Sequence, residues 1–207
     1  MAVRRLRVVF LGNDPWSVPP LEALAASPHR PELVITRAPK PAGRGSKLTP
    51  TAVAEAARRL DLPLAETETV RRGPGFDALA AASPDVLIVV AYGEILPDAV
   101  LELPDIAPVN LHFSLLPELR GASPVQQALL LGLPRTGVTT MVMDAGLDTG
   151  PVLLQRDEPV LDTDDAGSLG ERLAAIGGDL LVETLDGLAR GSLAALRRTA
   201  TRPSRRS

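Results

Sequence analysis

The chain of 207 residues is long enough for one large domain, and its 45% hydrophobic content is sufficient to build a buried core. The absence of cysteine excludes disulfides, thiol nucleophiles and thiolate metal sites. A formal net charge of -3 disfavours a protein that coats nucleic acid with its whole surface, although it does not exclude a local basic patch.

No apolar run approaches the ~20 residues that a membrane-spanning helix needs. Arg4, Arg5 and Arg7 precede a short apolar run, which superficially resembles a signal peptide. The run is too short for that role and leads into Gly12 and Asn13, so it is better explained as a first strand and its turn. We therefore expect a soluble, cytoplasmic protein without a membrane partner.

Short apolar runs rich in β-branched residues predict strands, and helical periodicity between them predicts helices. The predicted strands cover residues 6–11, 33–36, 86–90, 109–111, 138–143 and 152–154. The predicted helices cover residues 19–26, 51–60, 124–131 and 169–188. Strands that alternate with helices imply an α/β fold with a doubly wound, mainly parallel sheet. In such sheets, ligands bind beyond the carboxyl ends of the strands.

The last predicted helix has a possible start signal, because Ser168 and Glu171 have the spacing of a capping box. The helix should run toward Gly187 or Gly191. Residues 199–207 are polar and basic and cannot bury a core. We therefore predict one domain over residues 1–191 and a basic tail or linker stub over residues 192–207.

The segment 38–50, with the sequence APKPAGRGSKLTP, is rich in proline and glycine and is predicted to be an irregular, exposed loop. Its basic residues and those of the tail are the two places where an anionic partner could bind. The alternative is that these are solvated surface charges. The segment lacks P-loop spacing, and the turn at Gly12 lacks the later glycines of a dinucleotide fingerprint, which disfavours an ATP or nicotinamide enzyme.

Two polar residues lie at the end of the fourth predicted strand. Asn110 and His112 are two positions apart, so on a strand both side chains project from the same face. An amide and an imidazole side by side can donate to one developing negative oxygen. The alternative is a satisfied polar pair at the end of a strand.

The segment MDAGLDTG, residues 143–150, follows the next predicted strand, and its glycines permit a tight loop close to a ligand. Asp144 and Asp148 could each reach the imidazole from there. Each could equally bond to its own backbone as a turn residue. The spacing of the two residues does not choose between them.

The run NLHFSLLPELRGASP, residues 110–124, resembles the signature of folate-dependent formyltransferases, and GLDTG, residues 146–150, is similar to their acidic partner loop. The resemblance implies a Rossmann-like domain of the formyltransferase fold that uses 10-formyltetrahydrofolate as co-substrate. It implies Asn110, His112 and Asp148 as the catalytic trio and leaves Asp144 to loop structure. No metal is expected, because two distant histidines without cysteine leave no credible zinc site.

The same resemblance suggests the residues that contact the folate. Ser114, Leu115, Leu116 and Pro117 would lie against it, and backbone groups of Glu94, Ile95 and Leu96 would read the pterin ring. The departures from the family pattern include Phe113, where a small residue is usual, and Leu119, where an aromatic residue is customary. As the neighbour of His112 on a strand, Phe113 should point away from the reacting face.

Within the family, the chain is most similar to members that formylate initiator methionyl-tRNA for translation initiation. The similar runs are GNDPWSVPPL, PAGRGSK and AYGEILP, at residues 12–21, 41–47 and 91–97. The resemblance implies a monomer that engages the tRNA through the loop at residues 38–50. Arg44 would reach the acceptor end and Lys47 would contact a second phosphate, unless Lys47 is a free surface charge.

Those family members carry a second, β-barrel domain, and this chain stops where the linker to it should begin. We therefore expect weakened affinity for tRNA. One alternative is a formyltransferase for a small amine, such as a nucleotide amino sugar or glycinamide ribonucleotide. Another is a truncated folate-binding module without turnover. His29 is predicted to occupy a surface turn between two prolines rather than a catalytic position.

Overall fold

The computed structural model describes residues 4–42 and 47–193. In this part of the chain the strands are β1 (Val8–Gly12), β2 (Leu33–Arg37), β3 (Lys40–Ala42), β4 (Lys47–Thr49), β5 (Leu64–Thr67), β6 (Val86–Val90), β7 (Ala107–His112), β8 (Arg135–Val142) and β9 (Val152–Pro159). The helices are α1 (Val18–Ala25), α2 (Ala52–Arg59), α3 (Gly73–Ala82), α4 (Asp98–Leu101), α5 (Pro124–Leu130) and α6 (Ala166–Arg190), and a 3₁₀ turn (Pro15–Ser17) precedes α1.

Seven strands form one sheet in the order β5-β2-β1-β6-β7-β8-β9. The strands from β5 to β7 are parallel, whereas β8 and β9 run antiparallel to their neighbours. This arrangement confirms the predicted mainly parallel sheet. The chain moves outward from β1 through β2 and β5 and then returns to the other side of β1 with β6, so the strand order reverses beside β1.

Alternating residues of the central strands pack into two separate cores. Phe10 and Ile88 pack with residues of α1, α2, α5 and α6. Leu11 and Leu87 pack with residues of α3 and α4. Because successive strand residues point to opposite faces, the two cores lie on the two faces of the sheet. Burial on both faces explains why these strands are continuous apolar runs in the sequence.

The segment 38–50 is only partly irregular, so the prediction of a wholly irregular loop is wrong. Strands β3 and β4 pair antiparallel, with Lys40 opposite Thr49 and Pro41 opposite Leu48. Backbone pairing overrides the proline and glycine content here. Arg44 lies outside the described residues.

The predicted start of α6 is also wrong, because the helix begins about one turn earlier than the predicted capping box. Asp165 is the N-cap, and its side chain accepts from the backbone N–H of Ser168 at 2.9 Å. The Ser168 hydroxyl accepts in return from the backbone N–H of Asp165 at 3.0 Å. The helix ends at Arg190, and Gly191 adopts a left-handed φ of 70°, in agreement with the predicted end.

His29 lies in a turn but not on the surface, so its predicted exposure is wrong. The side chain is fully buried, and its Nε2 lies 3.0 Å from Asp186 Oδ1 on α6. The turn folds back against α6, which supplies a polar partner for Nε2, whereas the buried Nδ1 has no hydrogen-bond partner among the described residues. None of the described helices combines the length and apolarity needed to cross a membrane.

Helix α6 supports the carboxyl end of β7 through Trp16. A Cβ atom built on Gly170 would lie 2.1 Å from Trp16 Cζ2, so only glycine leaves room for the indole. The Trp16 ring in turn packs against Phe113, with centroids 6.0 Å apart and a tilt of 56°. Phe113 is buried and follows directly after β7. Its side chain belongs to the core, as predicted for the residue after His112.

We expect the substitution Gly170→Ala to reduce the free energy of unfolding by about 1–3 kcal/mol, because the added methyl group overpacks against a rigid indole ring. The matched control is Gly167→Ala in the exposed first turn of the same helix, where the added Cβ would meet only the exposed Asp165 carboxylate, at 3.1 Å, and stability should change by no more than about 0.5 kcal/mol. Denaturant unfolding, followed through the fluorescence of the single tryptophan, measures both. Equal stability of the two variants would contradict this packing argument.

Candidate active site

The structure brings Asn110, His112 and Asp148 together. Asn110 Nδ2 lies 3.5 Å from Asp148 Oδ1, and His112 Nδ1 lies 3.7 Å from Asp148 Oδ2. Asn110 and His112 share one face of β7, whereas Leu111 between them is part of the core. The side chains of His112 and Asp148 are only 7% and 13% exposed. The three polar groups therefore form a compact, largely desolvated cluster, in which electrostatic interactions are strong.

The second ring nitrogen of His112 is held by the backbone. Its Nε2 lies 3.0 Å from the carbonyl oxygen of Leu119. A carbonyl oxygen can only accept, so Nε2 carries the hydrogen of this bond. The contact fixes the orientation of the ring. Sequence reasoning identified Leu119 only as a departure from the family pattern, because a contact through a backbone carbonyl has no signature in side-chain identity.

Asp144 and Asp148 make different contacts. Asp144 Oδ1 accepts from the backbone N–H of Gly146 at 3.0 Å and from the Thr149 hydroxyl at 2.7 Å, so it organises its own loop. Asp148 has a left-handed φ of 51° and faces β7, and its Oδ2 accepts from the backbone N–H of Gly121 at 2.8 Å. The structure thus resolves a choice that the spacing left open.

Polar groups of the turn at residues 114–117 form hydrogen bonds with other groups of the protein. The buried Ser114 hydroxyl donates to the Glu118 carbonyl oxygen at 2.6 Å. The Thr139 hydroxyl on β8 donates to the Ser114 carbonyl oxygen at 2.7 Å and accepts from the Leu116 N–H at 3.1 Å. Leu116 is buried, Leu115 is half-buried and Pro117 is exposed. Sequence reasoning did not identify Thr139, which holds this turn next to His112.

The segment 94–96 follows β6, the strand beside β7. The Glu94 carboxylate accepts from the Thr69 hydroxyl and, at 3.3 Å, from the backbone N–H of Val70. Its side chain therefore ties two loops together, and what this segment offers to a ligand is its backbone and the 80% exposed Ile95. Leu96 is buried. Burial raises the pKa of the nearby Tyr92 phenol, and the charge of Glu94 raises it further, whereas Arg37 opposes the increase.

Among residues 4–42 and 47–193, no group of three or more histidine, aspartate or glutamate side chains is placed to hold a metal ion. Lys47 begins β4, the second strand of the β3–β4 pair.

Comparison with known proteins establishes the family. Residues 6–185 match the family profile described as Formyl transferase. The chain belongs to the formyl transferase family. It is 43% identical over 186 residues to a methionyl-tRNA formyltransferase of Pelobacter propionicus, covering 90% of this chain and 58% of that protein. It is 47% identical over 190 residues to that of Chromohalobacter salexigens, covering 92% and 58%.

The chain therefore spans about three fifths of the length of these curated relatives. Among solved structures, it resembles a glycinamide ribonucleotide transformylase from Symbiobacterium toebii with a TM-score of 0.74 and 26% identity, covering 90% of this chain and 89% of that chain. A sugar 3N-formyl transferase, determined in the presence of dTDP and 5-N-formyl-THF, has the same fold with a TM-score of 0.67 and 17% identity, covering 96% and 68%.

We expect Asp148→Asn to reduce formyl transfer about 100-fold or more, because it removes the negative charge beside His112. Asparagine tolerates a left-handed φ, so the loop should keep its conformation and the free energy of unfolding should change little. The matched control is Asp144→Asn, which keeps the side-chain oxygen that accepts from Gly146 and Thr149. Similar rates for both variants in a transfer assay would refute the distinction between the two aspartates.

Proposed function

We propose that residues 1–191 form a catalytic domain that transfers the formyl group of 10-formyltetrahydrofolate to the amino group of initiator methionyl-tRNA. The observation that carries this proposal is the cluster of Asn110, His112 and Asp148 in a chain of the formyl transferase family. The choice of acceptor is supported by 43% and 47% identity to proteins named methionyl-tRNA formyltransferase.

The proposed chemistry follows from where charge develops. The amino nitrogen attacks the formyl carbon, a C–N bond forms, and the carbonyl oxygen becomes an oxyanion. Preorganised N–H donors around that oxygen lower the barrier. Asn110 and His112 supply these donors. Because a charged acceptor binds more strongly than a neutral carbonyl, the oxyanion can take over an N–H that His112 now directs at Leu119.

In the second half of the reaction, the electron pair on the oxyanion moves back toward the formyl carbon. The oxyanion re-forms the carbonyl, the bond from the formyl carbon to the folate nitrogen breaks, and that nitrogen takes up a proton. The attacking amine must lose a proton, which Asp148 or a water molecule bound to it accepts. Asp148 also keeps His112 in position, because its carboxylate faces the ring from the loop after β8. The products are the formylated amine and tetrahydrofolate.

Both substrates have proposed contact sites. For the folate, they are the turn at residues 114–117 and the backbone of Glu94, Ile95 and Leu96. For the tRNA, they lie on the segment 38–50. Arg44 suits a phosphate or an unpaired base at the acceptor end, and Lys47 suits a second phosphate.

A second candidate acceptor is a small amine such as glycinamide ribonucleotide. It is favoured by the match to the Symbiobacterium toebii transformylase, which extends over 89% of that chain. The lower identity of 26%, compared with 43% and 47% to the methionyl-tRNA enzymes, places it second.

A competition between acceptors tests the proposed function. The chain is given 10-formyltetrahydrofolate with charged initiator tRNA, glycinamide ribonucleotide or a nucleotide amino sugar, and the formylated product is measured. We expect transfer to the methionyl-tRNA. Absence of that product at every enzyme concentration, with transfer to a small amine, would reverse the order of the two candidates.

We expect His112→Ala to lower turnover about 100-fold or more, which is the typical cost of losing an oxyanion donor. The Kd for the folate should change little, because the donor acts mainly in the transition state. The control is His29→Asn at the other histidine, which lies against α6 and should affect stability rather than turnover per folded molecule. Single-turnover kinetics and folate titration check both, and normal turnover of His112→Ala would rule out its assigned role.

A further inference from the structure

A row of three polar side chains crosses the sheet at the end of β7. His112 lies directly opposite Thr139 on β8, and Thr139 lies directly opposite Gln155 on β9. Residues that oppose each other on neighbouring strands project from the same face of a sheet. The three side chains therefore lie side by side on the face that also carries Asn110. Only His112 of this row belongs to the catalytic trio.

The turn at residues 114–117 is bound to the other two members of the row. The Thr139 hydroxyl donates to the Ser114 carbonyl oxygen and accepts from the Leu116 N–H. Gln155 adds a second anchor, because its Nε2 donates to the Leu116 carbonyl oxygen at 2.8 Å and to the Thr139 hydroxyl oxygen at 2.9 Å. The hydroxyl thus donates once and accepts twice, and the amide nitrogen uses both of its hydrogens. Both backbone groups of Leu116 are held from the sheet.

Packing on β8 adds to these hydrogen bonds. A Cβ atom on Gly137, which lies on the same face of β8 as the row, would come within 2.6 Å of Leu115 Cδ2, so glycine leaves room for this side chain. The turn leads directly into the segment 118–121, whose backbone contacts His112 and Asp148. The anchors on β8 and β9 therefore determine where this whole stretch lies relative to the trio.

Gln155 is exposed on β9, the edge strand of the sheet, whereas Thr139 and Leu116 are buried. An exposed amide can exchange its protein partners for water, so its hydrogen bonds add little to the stability of the whole fold. Their effect is local, since they restrict one turn. A turn that is already ordered before its ligand arrives costs less entropy on binding.

We propose that Gln155 is a positioning residue for the folate, whose amide holds Leu116, directly and through Thr139, in the conformation that binds 10-formyltetrahydrofolate beside His112. This inference rests on the proposed function, in which the turn at residues 114–117 contacts the folate. Gln155 itself does not take part in the chemistry. When the binding-competent conformation is only partly populated, the apparent Kd rises in proportion. Loss of the anchor therefore weakens folate binding and leaves the chemical step unchanged.

The test replaces Gln155 by methionine, which keeps the length of the side chain and removes both donors. The probe is 5-formyltetrahydrofolate, a stable isomer of the co-substrate whose formyl group is on a different nitrogen. We expect Gln155→Met to raise its Kd about fivefold, the effect of one net hydrogen bond. The KM for 10-formyltetrahydrofolate should rise by the same factor at unchanged kcat. The matched control is Gln126→Met at an exposed residue of α5, which should change neither constant.

Two further measurements separate positioning from a general loss of structure. The urea midpoint of Gln155→Met should equal that of Gln126→Met, because both residues are exposed. At Thr139, valine removes the hydroxyl with little change of shape, whereas serine retains it. We expect Thr139→Val to weaken binding of the probe at least as much as Gln155→Met does, and Thr139→Ser to bind it as the unmodified chain does.

An equal Kd for Gln155→Met and the unmodified chain would overturn the inference, and so would a reduced kcat at unchanged Kd. The titration needs no turnover, so it tests Gln155 even if the proposed reaction fails. Binding of the probe by the unmodified chain without formyl transfer to any acceptor would reject only the proposed reaction. No binding of the probe at all would reject the proposed folate contact and this inference together.

Discussion

The arrangement of the candidate site depends on the contacts that the Asp148 carboxylate makes. It faces Asn110 and His112 on β7 and accepts from the backbone N–H of Gly121 in the loop that follows. One side chain therefore connects a strand with two loops. Its left-handed backbone conformation is an uncommon one for a residue other than glycine, and it turns the carboxylate inward.

The end of β7 is held in position by packing on the face of the sheet opposite Asn110 and His112, and this keeps the contact with Asp148 in place. Phe113 packs on Trp16, which fits against Gly170 of α6. Ser17, one residue beyond Trp16, donates its hydroxyl to the carbonyl oxygen of Val90 at the end of β6, at 2.8 Å. Close packing transmits small displacements, so these residues determine how accurately the polar groups on the open face are positioned.

The sequence predicts the parts of this protein that depend on side-chain patterns. Strand β6 was predicted with its observed limits, because burial on both faces requires a continuous apolar run. Strand β5 was not predicted, because it lies at the edge of the sheet with every residue only half-buried. The candidate site shows the same division. The spacing of Asn110 and His112 predicts that they share one face of β7, and the resemblance to formyltransferases implies their role, whereas the Leu119 carbonyl and the Gly121 N–H are backbone groups that any residue could supply.

Arg37 and the Asp148 carboxylate lie at different positions along the sheet, and this separation has a physical reason. A cation close to Asp148 would pair with it and weaken its contact with His112. Arg37 ends β2, and β1 and β6 lie between β2 and β7. At about 4.8 Å per strand, this places the two regions roughly 14 Å apart. That distance is several times the 3.7 Å between His112 Nδ1 and Asp148 Oδ2, so Arg37 does not compete with His112 for the Asp148 carboxylate.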